Sequence, residues 1–368
     1  MRVAVVNAGS SSVKLRVVVD GVVEDAVDLG PPGDRLATQL DGYLDAAGDL
    51  DATGHRVVHG GDRFTRPVVV DDAVRAELDR LEDLAPLHNP PATRAIDEIR
   101  RLRPELPVVA CFDTAFHASI PAAARTYALP VEWAERFGVR RYGFHGLSCQ
   151  WALRRAGELS GRDADRLRVV VCHLGGGASV TAIRDGRSVD TTMGFTPTEG
   201  LVMATRSGDV DPGALAWLIE HGVDGAELGD ALERRSGLLA LSGGRSGDMR
   251  DLLAARAEGD EVASLAVEVY LHRLRAKVAA MTAAAGGIDV LVFTGGVGEH
   301  AAAVRAGAAG GLAWLGVELD PAANAAADGD AVIGAAGVAV TTLVVTSREE
   351  LVVAAGCEEA LGGRSPAR

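Results

Sequence analysis

Three turns rich in glycine or serine follow directly on apolar, β-like runs: residues 7–12 (Asn-Ala-Gly-Ser-Ser-Ser), 175–178 (Gly-Gly-Gly-Ala) and 295–298 (Gly-Gly-Val-Gly). Such turns offer backbone N–H groups without a Cβ in the way, which is what close contact with a phosphate requires. One alone usually just reverses the chain; three together point to a nucleoside triphosphate. A Walker A loop is excluded, because it needs Gly-Lys-Ser/Thr and neither lysine, Lys14 or Lys277, follows a glycine. Another pattern stays open. Gly296-Val297-Gly298-Glu299-His300-Ala301 fits G-x-G-x-x-A after a strand, with Glu318 placed to hold a ribose, and so points to an NAD(P) oxidoreductase.

Several polar residues sit where an apolar context makes them costly. His59-Gly60-Gly61 follows Arg56-Val57-Val58; Asp113 ends the run Val108–Phe112, with His117 four residues on. His145 lies in Tyr142-Gly143-Phe144-His145-Gly146, and Arg206 in Thr205-Arg206-Ser207-Gly208-Asp209. Each alone reads as a satisfied structural side chain. Together they supply two arginines, a histidine and carboxylates, the set that phosphoryl transfer uses.

The elements that must position these groups form a repeat. Val3–Val6, a polar turn, Val13–Val19 and Asp20-Gly21 spell a hairpin. Arg168–Cys172, the glycine turn, Ala178–Ile183 and Asp185-Gly186 spell it again, with His173 in the place of Asn7. Two such hairpins, each opening about half of the chain, suggest an internal duplication. Helical patterns run over Asp72–Leu84, Pro91–Leu102, Leu147–Leu159, Pro212–Glu220 and Glu261–Ala285. Strands are expected at Val290–Phe293 and Val338–Val345, the first followed by a turn over Thr294–Gly298, the second leading into a helix at Glu349. Strands alternate with helices, so the class is α/β with mixed sheets.

The 368 residues suffice for two domains, and a net charge of −14 disfavours nucleic acid and anionic membrane as partners. Cys111, Cys149, Cys172 and Cys357 form no Cys-x-x-Cys pair, so neither zinc nor a disulfide framework is expected. No signal-peptide pattern precedes Val3. The apolar stretch Val278–Gly298, broken by Asp289 and glycines, reads as helix then strand rather than a membrane span. A soluble, cytoplasmic protein is expected, with the tail after Gly362 disordered.

NAGSSSVK at the start and TMGFTPTEGLVMATRSGDVDP in the middle resemble the two signatures of the acetate kinases. RVVHGG, LAPLHNPP, FDTAFH, YALP, GVRRYGFHG, SGLL, DMRD and FTGGVGEH are similar to that family too, in family order from Arg2 to about Gly356. The resemblance implies two duplicated ribonuclease-H-like domains of the actin-like ATPase type, residues 1–148 plus 350–368 and residues 149–349, with the active site in the interdomain cleft. It also implies ATP as substrate, Mg²⁺ (or Mn²⁺) as cofactor, acetate and acetyl phosphate as the other reactants, and a homodimer. By the same resemblance Asn7 and Glu349 hold the metal. Ser10, Ser12 and Lys14 line the phosphate path, and His173 with Gly175, Gly176 and Gly177 forms a second phosphate loop. Asp248, Met249 and Arg250, with Gly295, Gly296, Val297 and Gly298, surround adenosine. Arg56 and Arg206 flank the carboxylate and the moving phosphoryl group, Asp113 assists, and His145 donates to the transition state. Val58, Leu87, Phe144 and Pro197 line the methyl pocket, and His88 is a secondary, partly structural histidine.

Three departures from the family pattern stand out. Gly176 replaces a usual Asn, which removes one amide contact to phosphate. Thr346-Ser347-Arg348-Glu349-Glu350 replaces Thr-Asn/Asp-Glu-Glu, which leaves the choice of Glu349 open, and His300 replaces an Asn. A propionate kinase has the same apparatus, since one methylene is worth only about 1–3 kcal/mol. A non-catalytic ATP-binding module would bind ATP and ignore acetate; the paired arginines speak against it.

Overall fold

The computed structural model describes residues 1–9, 12–86 and 88–362; Ser10, Leu87 and the tail expected to be disordered lie outside them. By packing, the chain divides into two units, each built on one sheet of six strands.

The first unit comprises Met1–Ala118, Phe144–Trp151 and the stretch beginning at Arg348. Its strands are β1 (Arg2–Ala8), β2 (Val13–Val19), β3 (Val22–Leu29), β4 (Ala52–Val57), β5 (Val68–Val69) and β6 (Val108–Phe112), in the spatial order β3-β2-β1-β4-β6-β5. Side chains alternate across this sheet, as period two requires. Ala4, Val6, Leu15 and Val17 meet Leu36, Leu40, Ile96 and Ile99 on one face. Val3, Val5, Val18 and Cys111 meet Val353, Ala354 and Cys357 on the other.

The second unit, Ser119–Gly143 and Ala152–Ser347, repeats the plan. Its strands are β7 (Arg168–Leu174), β8 (Ala178–Arg184), β9 (Arg187–Thr191), β10 (Val290–Thr294), β11 (Ala331–Val332) and β12 (Thr341–Val344), in the order β9-β8-β7-β10-β12-β11. The two orders superpose strand for strand, and so do the directions: the first two pairings are antiparallel, the next two parallel, the last antiparallel. Both Asp-Gly turns carry φ > 0 at both residues, 47° and 80° at Asp20-Gly21 and 53° and 74° at Asp185-Gly186. That is the type I′ geometry whose twist suits a two-residue hairpin. The duplication read from the hairpins is therefore the architecture of the whole sheets.

Four features differ from the sequence reading. Gly295–Gly298 is the opening of a helix, Gly295–His300, rather than a free turn. The last strand is shorter, Thr341–Val344. A strand, β3, and a helix, Leu36–Ala47, occupy the stretch between Asp20 and Arg56 for which no element was expected. Ser119–Gly143, read as part of the first domain, packs with the second. Arg141 Nη1 donates to the carbonyls of Thr191, Thr192 and Met193 at 3.0–3.1 Å, and Ser119 Oγ donates to Ser188 O at 2.9 Å. The mixed sheet also removes the dinucleotide-binding alternative, since β7–β8 and β8–β9 are antiparallel where that fold needs a largely parallel sheet. No helix among the described residues is long and apolar enough to cross a membrane.

Burial leaves a pH signature in the first unit. His55 and His117 are fully buried, and burial lowers their pKa to about 3 and about 4. Their unfolded value is about 6.5, so below that pH the unfolded chain takes up protons that the folded one refuses. Stability should therefore fall with acidification through pH 6.5, by about 2 kcal/mol per histidine at pH 5. Urea midpoints at pH 7.5 and 5 for wild type and His55→Asn check this, the variant showing the smaller drop.

Candidate active site

In the first unit, three adjacent parallel strands bring their C-terminal ends together: β1 carries Asn7, β4 runs into Arg56, and β6 is followed by Asp113. Arg56 grips Asp113 with both prongs of its fork, Nε–Oδ1 at 2.9 Å and Nη2–Oδ2 at 2.6 Å. Its Nε also lies 3.3 Å from Glu349 Oε2, and Nη1 donates to Asn7 Oδ1 at 3.4 Å. Asp113 is only 1% exposed, whereas Arg56 keeps 20%. Burial opposes the charge on Arg56, but Asp113 and Glu349 more than restore it. Glu349 is the reverse case. Burial raises its pKa, and Asp113 and Glu350 add to that, against the pull of Arg56 and Lys14. A half-buried carboxylate held above its ordinary pKa beside a second carboxylate is a site that gains from added positive charge.

Asn7, Asp113 and Glu349 present hard oxygen donors, the kind a Mg²⁺ ion takes when it keeps most of its water and its nucleotide oxygens. Among the described residues no cluster of three or more His, Cys, Asp or Glu side chains could hold a metal by itself.

His145 is held in an unusual backbone. Its φ is +59°, in the left-handed region that costs a non-glycine residue about 1 kcal/mol or more. Gly146 fixes it there: its N–H donates to Asp113 O at 2.9 Å, and a Cβ at this position would overlap that same carbonyl. Phe144 beside it is buried against His59, ring centroids 5.5 Å apart, and its carbonyl lies 2.8 Å from His117 Nε2. The turn thus ties His145 to Asp113 through one backbone bond. Val58, following β4, is half-buried, and Ser12 and Lys14 stand at the start of β2, where Lys14 pairs with Asn7.

In the second unit, His173 occupies the place of Asn7, paired with Ser179 as Asn7 pairs with Lys14. Gly175 N–H closes the glycine turn onto Gly177 O at 3.0 Å. This turn and the Arg206 loop are joined, since Ala204 N–H donates to Gly176 O at 3.2 Å. The loop is also clasped from the other side. Leu238 and Leu239 N–H donate to the carbonyls of Met203 and Ala204 at 2.8 and 2.9 Å. Gly208, at φ +69°, sits where a Cβ would meet Leu201 O at 2.5 Å. Arg206 Nη1 reaches Pro197 O at 3.3 Å and Met203 Sδ at 3.9 Å. Burial lowers its pKa, with only Glu233 working the other way.

A family model described as the acetokinase family matches residues 34–355. The chain belongs to the acetokinase family. It is 45% identical to an acetate kinase of Leifsonia xyli subsp. xyli, over 96% of this chain and 97% of that one. Among solved structures, it superposes on an acetate kinase of Porphyromonas gingivalis with a TM-score of 0.90 at 36% identity, covering 98% and 99% of the two chains. A propionate kinase of Francisella tularensis gives 0.87 at 34%, covering 96% and 98%. As a member of the acetokinases the chain is a phosphotransferase, and its two mixed sheets are the duplicated actin-like ATPase fold.

The remaining acetokinase positions divide by environment. Glu349 lies 3.3 Å from Arg56, whereas Glu350 lies 3.6 Å from Arg348, so the two glutamates face different partners. Gly176 and Gly296 are exposed with no atom within 4 Å of a built Cβ, so both loops are open at those points. Gly295 and Gly298 are buried, and a Cβ on Gly295 would meet the Leu174 carbonyl at 2.8 Å. Val297 is half-buried and His300 exposed. Asp248 caps the helix Met249–Ala257 by accepting from Arg250 N at 2.9 Å, and the exposed Arg250 folds back onto it; Met249 is buried in the core. The sequence reading missed Arg305, 1% exposed, which donates to Gly298 O, Glu299 O and both oxygens of Asn324 at 2.6–3.0 Å. A lone arginine among Ala-Ala-Val and Ala-Gly-Ala was the available signal.

Proposed function

We propose that the chain transfers the γ-phosphoryl group of ATP to acetate, reversibly, giving acetyl phosphate and ADP. The observation that supports this most is the half-buried Arg56 fork with two carboxylates and Asn7 at the ends of three parallel strands. Acetate is named because relatives such as that of Leifsonia xyli are called acetate kinases.

A carboxylate is ionised at neutral pH, so this nucleophile needs no general base. What it needs is relief from anion–anion repulsion and in-line placement. On this reading Arg56 and Arg206 flank the acid and the moving phosphoryl group, and His145 donates to an equatorial oxygen, where charge accumulates in the transition state. Asn7 and Glu349 hold Mg²⁺, with Asp113 positioning Arg56; the ion neutralises charge on the nucleotide oxygens. Val58, Phe144 and Pro197 contact the methyl group. Backbone N–H groups of 175–177 and 295–298 cradle the nucleotide. Intracellular location and homodimer assembly are part of the same proposal.

The test is hydroxamate detection of acetyl phosphate with ATP, Mg²⁺ and acetate, and with propionate in parallel. Signal requiring all three components is expected; none with either acid, from folded protein that binds ATP, would sink the reading. One departure from the family gives its own prediction. Gly176 has neither positive φ nor a neighbour to clash with, so Gly176→Asn should fold normally. A regained amide contact to phosphate should lower the KM for ATP about tenfold, measured with saturating acetate.

A further inference from the structure

The loop 191–199 carries Pro197, whose carbonyl accepts from Arg206. A three-residue ionic latch lies beneath it. Glu199 Oε1 accepts from Arg141 Nη2 at 2.5 Å, and its Oε2 accepts from the Tyr127 hydroxyl. Tyr127 Oη in turn accepts from Phe195 N–H at 3.0 Å, while Arg141 donates to three successive carbonyls at the loop entrance. Tyr142 and Gly143 N–H donate to Gly194 O at 3.0 and 3.3 Å. Gly194 has no room for a side chain, since a Cβ there would overlap both Glu199 Oε2 and Tyr127 Oη. The latch thus holds the loop on both sides of Pro197, at 191–195 and at Glu199, and both Tyr127 and Arg141 come from the excursion Ser119–Gly143.

We infer that Glu199, Tyr127 and Arg141 are positioning residues that set the placement of Pro197 and the aim of Arg206. This rests on the acid-kinase reading above. Glu199 is the hub, because its carboxylate satisfies a cation and a phenol at once, and charge-assisted bonds of this kind fix geometry more firmly than neutral ones. On that reading neither Glu199 nor Tyr127 is among the residues that contact the acid. They act through Pro197, so their loss is felt at the acid and not at the nucleotide.

The experiment is a kinetic comparison of wild type, Glu199→Gln, Tyr127→Phe and the double variant, with acetate, propionate and ATP each varied. Glu199→Gln should lose about 10²-fold in kcat/KM for acetate, the scale of a displacement of about 1 Å in a reacting group. The KM for ATP should stay within about twofold, and the acetate-to-propionate ratio should change. Tyr127→Phe, which removes one hydroxyl, should show the same pattern more weakly, and the double variant should lose less than the product of the two. A kcat/KM for acetate within about threefold of wild type in both single variants would overturn the inference. So would equal losses for acetate and ATP, which mark general damage to the fold. Wild type inactive on both acids defeats the acid-kinase reading instead, so the two failures are told apart in one experiment.

Discussion

Arg206→Ala is expected to fold as the wild type does and to turn over about 10³-fold more slowly, the scale seen when an arginine finger is lost. The two halves of this expectation have separate causes. Arg206 donates to a carbonyl and a thioether, and burial lowers its pKa. Removing a charge that the fold already holds at some cost should do little to stability. Its loop is kept by backbone bonds, Met203 N–H to Arg206 O at 3.1 Å and Ser236 N–H to Thr205 O at 2.9 Å, which alanine retains. The transition state, by contrast, loses a cation that nothing else in that loop replaces. Single-turnover rates beside a thermal melt check both halves; a variant retaining most of the turnover would remove Arg206 from the chemistry.

Arg56→Ala should behave differently, losing stability as well as activity. Asp113, at 1% exposure, has Arg56 as its ion-pair partner, and Glu349 shares it. Taking the arginine away leaves two neighbouring carboxylates in a poorly solvated place, where breaking a buried pair costs about 3–5 kcal/mol. Glu349, whose pKa burial already raises, should then lose the pull of Arg56 and rise further. Arg56→Lys keeps the charge but cannot reproduce the bidentate fork. It should recover part of the stability and little of the turnover. Urea unfolding with initial rates for both variants decides this; an Arg56→Ala protein as stable as wild type would mean that Asp113 is neutralised some other way.

The contrast between these arginines was not legible in the sequence, where each is one arginine near glycines. Their partners lie 57 residues away for Arg56 and in the local loop for Arg206. What could be read were features set by local rules. The Asp-Gly turns forced φ > 0 and announced both hairpins, and the apolar spacing of Ala92, Ala95, Ile96 and Ile99 announced a helix behind two prolines. The edge strand β3 escaped notice because it is largely exposed and carries Glu24, Asp25 and Asp28, residues with low strand preference. The helix Gly295–His300 escaped for a related reason. Three glycines in six residues oppose a helix, and tertiary contacts override them, with Glu299 Oε1 accepting from both Gly295 N–H and Ser347 N–H at 3.0 Å. The latch under residue 197 was invisible because Tyr127 and Glu199 are 72 positions apart.

The helix Glu349–Ala360 gives the first sheet a delayed history on the ribosome. Val353 and Cys357 press so closely on β4 that a Cβ on Gly54 would meet them at 2.6 and 2.8 Å. Cys111 Sγ reaches Val353 O, 242 residues later, at 3.7 Å. That face of the sheet therefore stays bare while all of the second unit is being translated. The unit synthesised first is completed last, by the same helix that delivers Glu349 to Arg56. Until then, the valines of β1 and β2 that this helix covers lack their packing partners, the kind of exposed apolar surface that invites aggregation.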